Sequence, residues 1–167
     1  LPRIGVDWAL APEFDQLSWL GHGPHENYSD RLQSAPLGVW SGSVAGQYVP
    51  YPRPQATGNR EGVRWIALRN HQGSGLLFRS DARPVSATAL PFSTADLDSA
   101  THTHELEPRD AVYLTLDAAH MGLGNSSCGP GVLRKFAVFP ESYRMDLTIF
   151  PLDPDDLLHE RAAGLSR

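Results

Sequence analysis

One cysteine, Cys128, in 167 residues leaves no internal disulfide and no Cys-rich zinc cage, so folding has to rest on core packing. Basic side chains are scarce as well, with 14 Lys and Arg against 19 Asp and Glu and a formal charge of -5. They form no cluster, whereas a nucleic-acid surface needs grouped cations facing its phosphates, so no nucleic-acid partner is expected. No apolar run approaches the roughly 20 residues that cross a bilayer as a helix. The segment "LPRIGVDW" has neither a charged leader nor a leader-type apolar core, and no membrane partner is expected. What is present is a hydrophobic content of 41%, ordinary for one globular domain with a real core. The chain begins without Met on a pattern that already reads as strand. It is therefore expected to be part of a longer, cytoplasmic protein.

Alternation of apolar with small or polar residues, the period that buries one face of a strand, sets the fold class. In "PRIGVDWAL" it runs through Ile4, Val6, Trp8 and Leu10. It recurs in "VRWIAL", "GLLFRS", "AVYLTLD" (Val112, Leu114 and Leu116 on one face) and "YRMDLTIF" (Tyr143, Met145, Leu147 and Ile149). The connections "GHGPHENYSDR" and "PYPRPQATGNREG" are rich in proline and glycine and predict ordered surface loops. Two stretches read as helix. Ser93 caps "STADLDSA" with Asp96 in the first turn, and Asp153 caps a tail in which Pro154 opens "DDLLHERAAG" and Gly164 stops it. Many strands and few helices predict an all-β fold, an antiparallel sandwich over 1–151 with an acidic, helical tail over 152–167, a closed barrel being the alternative.

Several groups have chemical potential, each with a plainer reading. Cys128, in "HMGLGNSSCGPGV", would need a nearby His and a helix N-terminus or cation to act as nucleophile. His120 is eight residues upstream and no helix follows, so a packed or loop thiol is preferred. His102 and His104 in "THTHELE" would face the same side of a strand and could share a zinc with His120 or His71, yet such alternation is also ordinary on a polar strand face. Glu26, Glu61, Glu105, Glu107 and Glu141 are candidates for a glycosidase carboxylate pair, none in a context that visibly raises its pKa. "GPHENYSDR" is either a ligand-facing rim or a self-satisfied network in which Arg31 pairs with a carboxylate and Asn27 bonds backbone; the network is preferred. Among the aromatics, Trp8 and Trp65 read as core, while Trp40 and the Tyr48 to Tyr51 loop are free to stack on a sugar.

Taken in order, "LPRIGVDWAL", "WLGHGPHENYSDR", "YVPYPRPQATGNREGVRW", "LLF", "LDSATHTHEL" and "HMGLGNSSCGPGV" resemble the C-terminal domain of the large bacterial β-galactosidases of glycoside hydrolase family two. The resemblance covers residues 1 to about 150 and implies a large twisted antiparallel supersandwich related to galactose mutarotases, here incomplete on its N-terminal side. It implies a parent enzyme that hydrolyses terminal β-galactosides such as lactose with retention, using two glutamates on a barrel domain. A retaining pair stands about 5 Å apart, and neither member is in this chain, which is expected to be non-catalytic by itself. Mg2+ and Na+ are implied for the parent only. The expected partners are the barrel and other parent domains, the β-galactoside, and further copies in a homo-oligomer.

In that family the segment matching "GLGNSSCGPGV" carries a tryptophan that stacks on the leaving-group sugar. The resemblance puts Cys128 at or beside that position, so the aglycone rim here would consist of Cys128, Asn125, Ser126 and Ser127. Two rival readings remain: a free-standing carbohydrate-binding module using exposed aromatics, and an aldose-epimerase-like enzyme using a His and a Glu of the sandwich.

Overall fold

A computed structural model describes residues 1–124 and 129–164. Among these residues nine strands form two antiparallel sheets, the β-sandwich that the alternating patterns predict. Strands β1 (Arg3–Leu10), β8 (Val112–His120), β7 (Val85–Leu90) and β4 (Arg60–Val63) lie in that order in a four-stranded sheet. Strands β3 (Leu37–Ser43), β2 (Gln16–His22), β5 (Trp65–Arg69), β6 (Gly75–Ser80) and β9 (Leu147–Leu152) form a five-stranded one. Helix α1 (Thr94–Ser99) follows β7, and helix α2 (Leu158–Ala162) follows β9. Among the described residues no helix is long and apolar enough to cross a membrane.

The main core lies between the sheets. Leu17, Trp19, Ile66, Leu68 and Phe78 of the larger sheet meet Val63, Val85, Ala87, Ala89, Val112, Leu114 and Leu116 of the smaller one. Removing this apolar area from water is the dominant favourable term. As predicted, Val112, Leu114 and Leu116 share the inward face of β8. The outer face of the five-stranded sheet carries a second apolar cluster, in which Trp65, Ala67, Leu77 and Leu152 pack with Leu158 and Ala162 of α2. Strand β5 is thus buried on both sides.

Four local expectations need correction. "VRWIAL" predicts one strand, but the chain changes sheet at Arg64, leaving Val63 at the end of β4 and Trp65 at the start of β5. Val63 and Ile66 face the inter-sheet core and Trp65 the outer apolar cluster, so the apolar pattern continues across the break. In "YRMDLTIF" the strand begins only at Leu147, although Met145 and Leu147 do pack on the main core; Ile149, on the same alternation, is 46% exposed. Along β1 a bulge between Ile4 and Gly5 shifts the register, and Val6 is 47% exposed while Trp8 packs on Phe78 with ring centroids 5.4 Å apart. The tail helix starts at Leu158 rather than at Pro154. Asp153 and Asp156 close a turn on each other, and Arg69 donates to the Asp156 carbonyl at 2.6 Å, which holds that segment out of the helix.

Helix α1 matches its prediction in detail. Ser93 accepts from the Asp96 N–H and the Asp96 carboxylate accepts from the Ser93 N–H, a reciprocal capping box. We expect Ser93→Ala to cost about 1 kcal/mol of unfolding free energy, and Phe78→Ala in the fully packed core about 3 to 5 kcal/mol. Urea titrations of the two variants check the order of these effects.

Candidate functional site

The outward face of the four-stranded sheet is polar where the other three sheet faces are apolar. Because Val85, Ala87, Ala89, Val112, Leu114 and Leu116 point into the core, their neighbours Ser86, Thr88, Thr115 and Asp117 point away from it. All four are nevertheless buried, together with Asn27, Thr57 and Asn59. The covering layer comes largely from the two connections predicted to be surface loops, residues 21–31 and 50–62, and the burial of Asn27, Thr57, Asn59 and Arg60 in them corrects that expectation.

Asn27 ties the two loops together. Its side-chain amide donates to the His25 carbonyl at 2.9 Å and its side-chain oxygen accepts the Glu61 N–H at 2.8 Å. Its own N–H donates to the Asn59 carbonyl at 2.8 Å, and its carbonyl accepts from the Asn59 amide at 2.9 Å. Glu26 beside it accepts from the Gly58 N–H at 2.8 Å and from the hydroxyls of Thr57 and Tyr51. Burial and the neighbouring Glu26 carboxylate push the Tyr51 hydroxyl up to about 12. Arg60 lies 5.1 Å over the Trp19 ring, donates to the Gly58 and Asn59 carbonyls and to Gln47, and is pushed down by burial to about 10. It remains charged at neutral pH.

The anticipated backbone bonding of Asn27 is present, but Arg31 does something other than pair with a carboxylate. It donates to the Gly124 carbonyl at 2.7 Å. Asp30 accepts the N–H groups of Leu123 and Gly124 at 3.0 and 2.7 Å. The cluster "GPHENYSDR" is therefore not closed on itself: it grips the start of the glycine-rich loop that follows β8. Two glycines make the grip possible. A Cβ at Gly122 would lie 2.6 Å from Asp30 Cγ, and Gly124 adopts φ +61, with the Val132 N–H 2.8 Å from where its Cβ would sit. The Gly122 N–H also donates to the Phe136 carbonyl at 3.0 Å, fastening the loop from its far side.

The anticipated rim residues Asn125, Ser126, Ser127 and Cys128 lie outside the described residues; their anchor, residues 120–124, lies within them. His102 and His104 are brought together, their rings stacked at 5.4 Å, but on a short 3-10 turn (Thr103–Glu105) rather than a strand. His102 pairs with Glu105 at 3.0 Å, and hydrogen bonds from Thr101 and His102 hold the exposed Glu105 carboxyl down at about 2. Among the described residues no group of three His, Cys, Asp or Glu side chains is placed to hold a metal. Trp40, expected to be free for stacking, instead packs against the main core and donates its indole N–H to the Gly21 carbonyl at 3.2 Å.

Two carboxylates under the covering loops are engaged. Asp117 receives the Arg3 guanidinium through Nε at 3.0 and 3.1 Å, and Glu61 accepts from Asn59 at 2.8 Å and Ser86 at 2.9 Å. No local sequence context marks a raised carboxyl, yet burial pushes Glu61 upward, with the nearby Asp117 charge adding to it. That burial comes from the loop carrying Asn27, 34 positions away in sequence. His120, whose ring lies 5.5 Å from that of the buried Tyr28, is pushed down mainly by burial.

With this geometry established, comparison with known proteins identifies its family. Residues 1–149 match the family model described as beta galactosidase small chain. The chain belongs to the β-galactosidase small-chain family. It is similar to the beta-galactosidase of Arthrobacter sp. strain B7, 41% identical over 152 residues that make up 89% of this chain and 15% of that protein. It is likewise 40% identical over 124 residues to that of Priestia megaterium, covering 74% of this chain and 12% of the relative. With the Lactobacillus delbrueckii subsp. bulgaricus enzyme it shares 37% identity over 154 residues, 91% of this chain and 15% of the other. The small-chain domain thus spans less than a sixth of the length of these relatives.

Two outcomes test the site. Asp30→Ala should accelerate amide hydrogen exchange at Leu123 and Gly124 while exchange in β5 is unchanged. For His120 the folded state binds a proton less readily than the unfolded chain, whose imidazole titrates near 6.5. Stability should therefore fall as pH drops from about 7.5 to about 5.5, and His120→Gln should remove that part of the fall. Glu61, shifted upward, contributes with the opposite sign, so the difference between wild type and variant in urea midpoint against pH is the measurement.

Proposed function

We propose that this chain is the non-catalytic C-terminal domain of a retaining β-galactosidase of glycoside hydrolase family two, and that the loop after β8 forms part of the aglycone side of the parent's pocket. The observation that carries the reading is the grip of Asp30 and Arg31 on Leu123 and Gly124. Three hydrogen bonds from a separate, partly buried segment fix where the loop leaves the sheet, as a rim that must meet a substrate requires. The engagement of Glu26, Glu61 and Asp117 fits a supporting role. Glu26 and Glu61 each accept several hydrogen bonds from the covering loops, and Asp117 is held by Arg3.

On this reading Asn125, Ser126, Ser127 and Cys128 are the residues offered to the leaving-group sugar. A cysteine lacks the flat apolar face of an indole, so the contact there is smaller and aglycone discrimination weaker. The nucleophile, the acid/base carboxyl and any requirement for Mg2+ or Na+ belong to the remainder of a cytoplasmic parent enzyme. Exposed Leu37 and Val39 on the edge strand β3, with Ile149 on the edge strand β9, suit contacts to other domains or to a second subunit.

A second reading, an aldose-epimerase-like activity, is favoured by one observation. Glu61, pushed up, and His120, pushed down, line the same cavity of about 320 Å³ together with Ser29 and Ser86. An acid and a base drawn toward neutrality in one cavity are the elements of proton transfer at a sugar ring.

The purified chain is expected to release no nitrophenol from nitrophenyl β-galactoside, and turnover free of contaminating enzyme would overturn the first reading. In the full-length enzyme, Cys128→Trp should lower KM for lactose several-fold and leave nitrophenyl galactoside hydrolysis less affected; no change for lactose would remove the loop from the site. Polarimetry of freshly dissolved α-galactose with the pure chain decides the second reading, since only an epimerase speeds the approach to anomeric equilibrium.

A further inference from the structure

A second cavity lies farther along the polar face, away from the loop after β8. It has a volume of about 570 Å³, within the range of small-molecule sites. Its floor follows from strand register. Thr88 of β7 pairs with Thr115 of β8, which pairs with Asp7 of β1; in the next row Tyr113 of β8 lies between Leu90 and Ala9. Phe92 and Asp98 belong to the wall on the α1 side. Thr88 is 6% exposed, and its buried hydroxyl has no hydrogen-bond partner within the protein. An unsatisfied buried hydroxyl costs about 1 to 3 kcal/mol, and in a native protein it points to a partner that is supplied from elsewhere.

The chemistry of the lining selects the partner. Arg3, at the edge of the cavity, is neutralised by its bidentate contact with Asp117, which leaves Asp7 and Asp98 as the uncompensated charges. Phosphate or carboxylate on a ligand would be repelled by them. An apolar ligand would strand the threonine and tyrosine hydroxyls. Groups that both donate and accept, set on a small frame with C–H faces to lie against Tyr113 and Phe92, satisfy all of these demands. We propose that this cavity is a binding site for a neutral polyhydroxylated molecule of hexose size, separate from the glycine-rich loop and independent of the function proposed above.

The test is a titration of the isotopically labelled chain with galactose and with glucose, followed by NMR, with galactose 6-phosphate and putrescine as charged probes. Expected are saturable, millimolar shifts at Thr88, Thr115 and Tyr113 with at least one hexose, and weaker binding of the phosphorylated sugar. Thr88→Val removes a hydroxyl that the fold does not use, so the variant should fold with unchanged or higher stability. It should bind the hexose about fivefold more weakly, the value of one neutral hydrogen bond. Thr115→Val is the second variant and should act in the same direction. The proposal is overturned if neither hexose perturbs these residues, if Thr88→Val and Thr115→Val both bind as the wild type does, if putrescine binds more tightly than the sugars, or if the shifts centre on residues 120–132 instead.

Discussion

Asn27 has all four of its hydrogen-bonding functions committed, two through the backbone and two through the side chain, and none of its surface reaches water. Everything on the polar side of the sandwich depends on that arrangement. Ser86, Thr88, Thr115 and Asp117 face outward from β7 and β8, and an apolar cover would strip Ser86 and Asp117 of their partners Glu61 and Arg3. They can be covered by loops that bring donors and acceptors at fixed positions. Asn27 and Asn59 hold two such loops against each other, and Glu26 adds the backbone N–H of Gly58 and two hydroxyls to the same joint. Remove the joint and the covering layer has no reason to prefer one position over the sheet.

The legible parts of the fold are those where one strand face is apolar and the other meets water or a small residue. Strand β1 has that contrast, and in β8 a polar outer face serves equally well, so the alternation in "AVYLTLD" places Val112, Leu114 and Leu116 correctly on the core side. Strand β7 does not. All six residues of "VSATAL" are buried, the inner ones being small and the outer ones hydroxylated, so little hydropathy contrast remains to mark the period. Strand β3, "LGVWSGS", is diluted by glycine, and its Trp40 looks unengaged until the strand is paired with β2 and the indole meets Gly21 across it. The capping box of α1 is readable because all of its atoms lie within four residues. The start of α2 is not, because the Arg69 side chain that holds the Asp156 carbonyl comes from β5, 87 positions away in sequence.

The same distinction separates what was legible in the site from what was not. Residue type and local spacing single out "GPHENYSDR" as the densest polar cluster and "HMGLGNSSCGPGV" as the loop with most glycine. Neither indicates that one grips the other, since Asp30 and Gly124 are 94 positions apart. A salt bridge within the cluster is the natural expectation for an arginine next to acids, and burial changes that result: the nearby carboxylates are already satisfied by backbone N–H groups, so Arg31 is left to serve a carbonyl. The upward shift of Glu61 is hidden for a related reason, since desolvation is a property of the assembled layer and not of the residues beside it in the chain.

The two outer faces of the sandwich show what a polar cover does that an apolar one does not. Trp65, Leu77 and Leu152 accept Leu158 and Ala162 of α2 through contacts that tolerate small displacements, because apolar packing is non-directional. Hydrogen bonds between Asp30 and the N–H groups of Leu123 and Gly124 tolerate much less, since they weaken steeply with angle and distance. Buried polar groups contribute little net stability, and often none, because desolvation offsets most of their attraction. Their value is positional. A domain whose stability comes from the inter-sheet core can place a polar layer on one face for accuracy alone, and the element that this layer positions most directly is the beginning of the loop after β8.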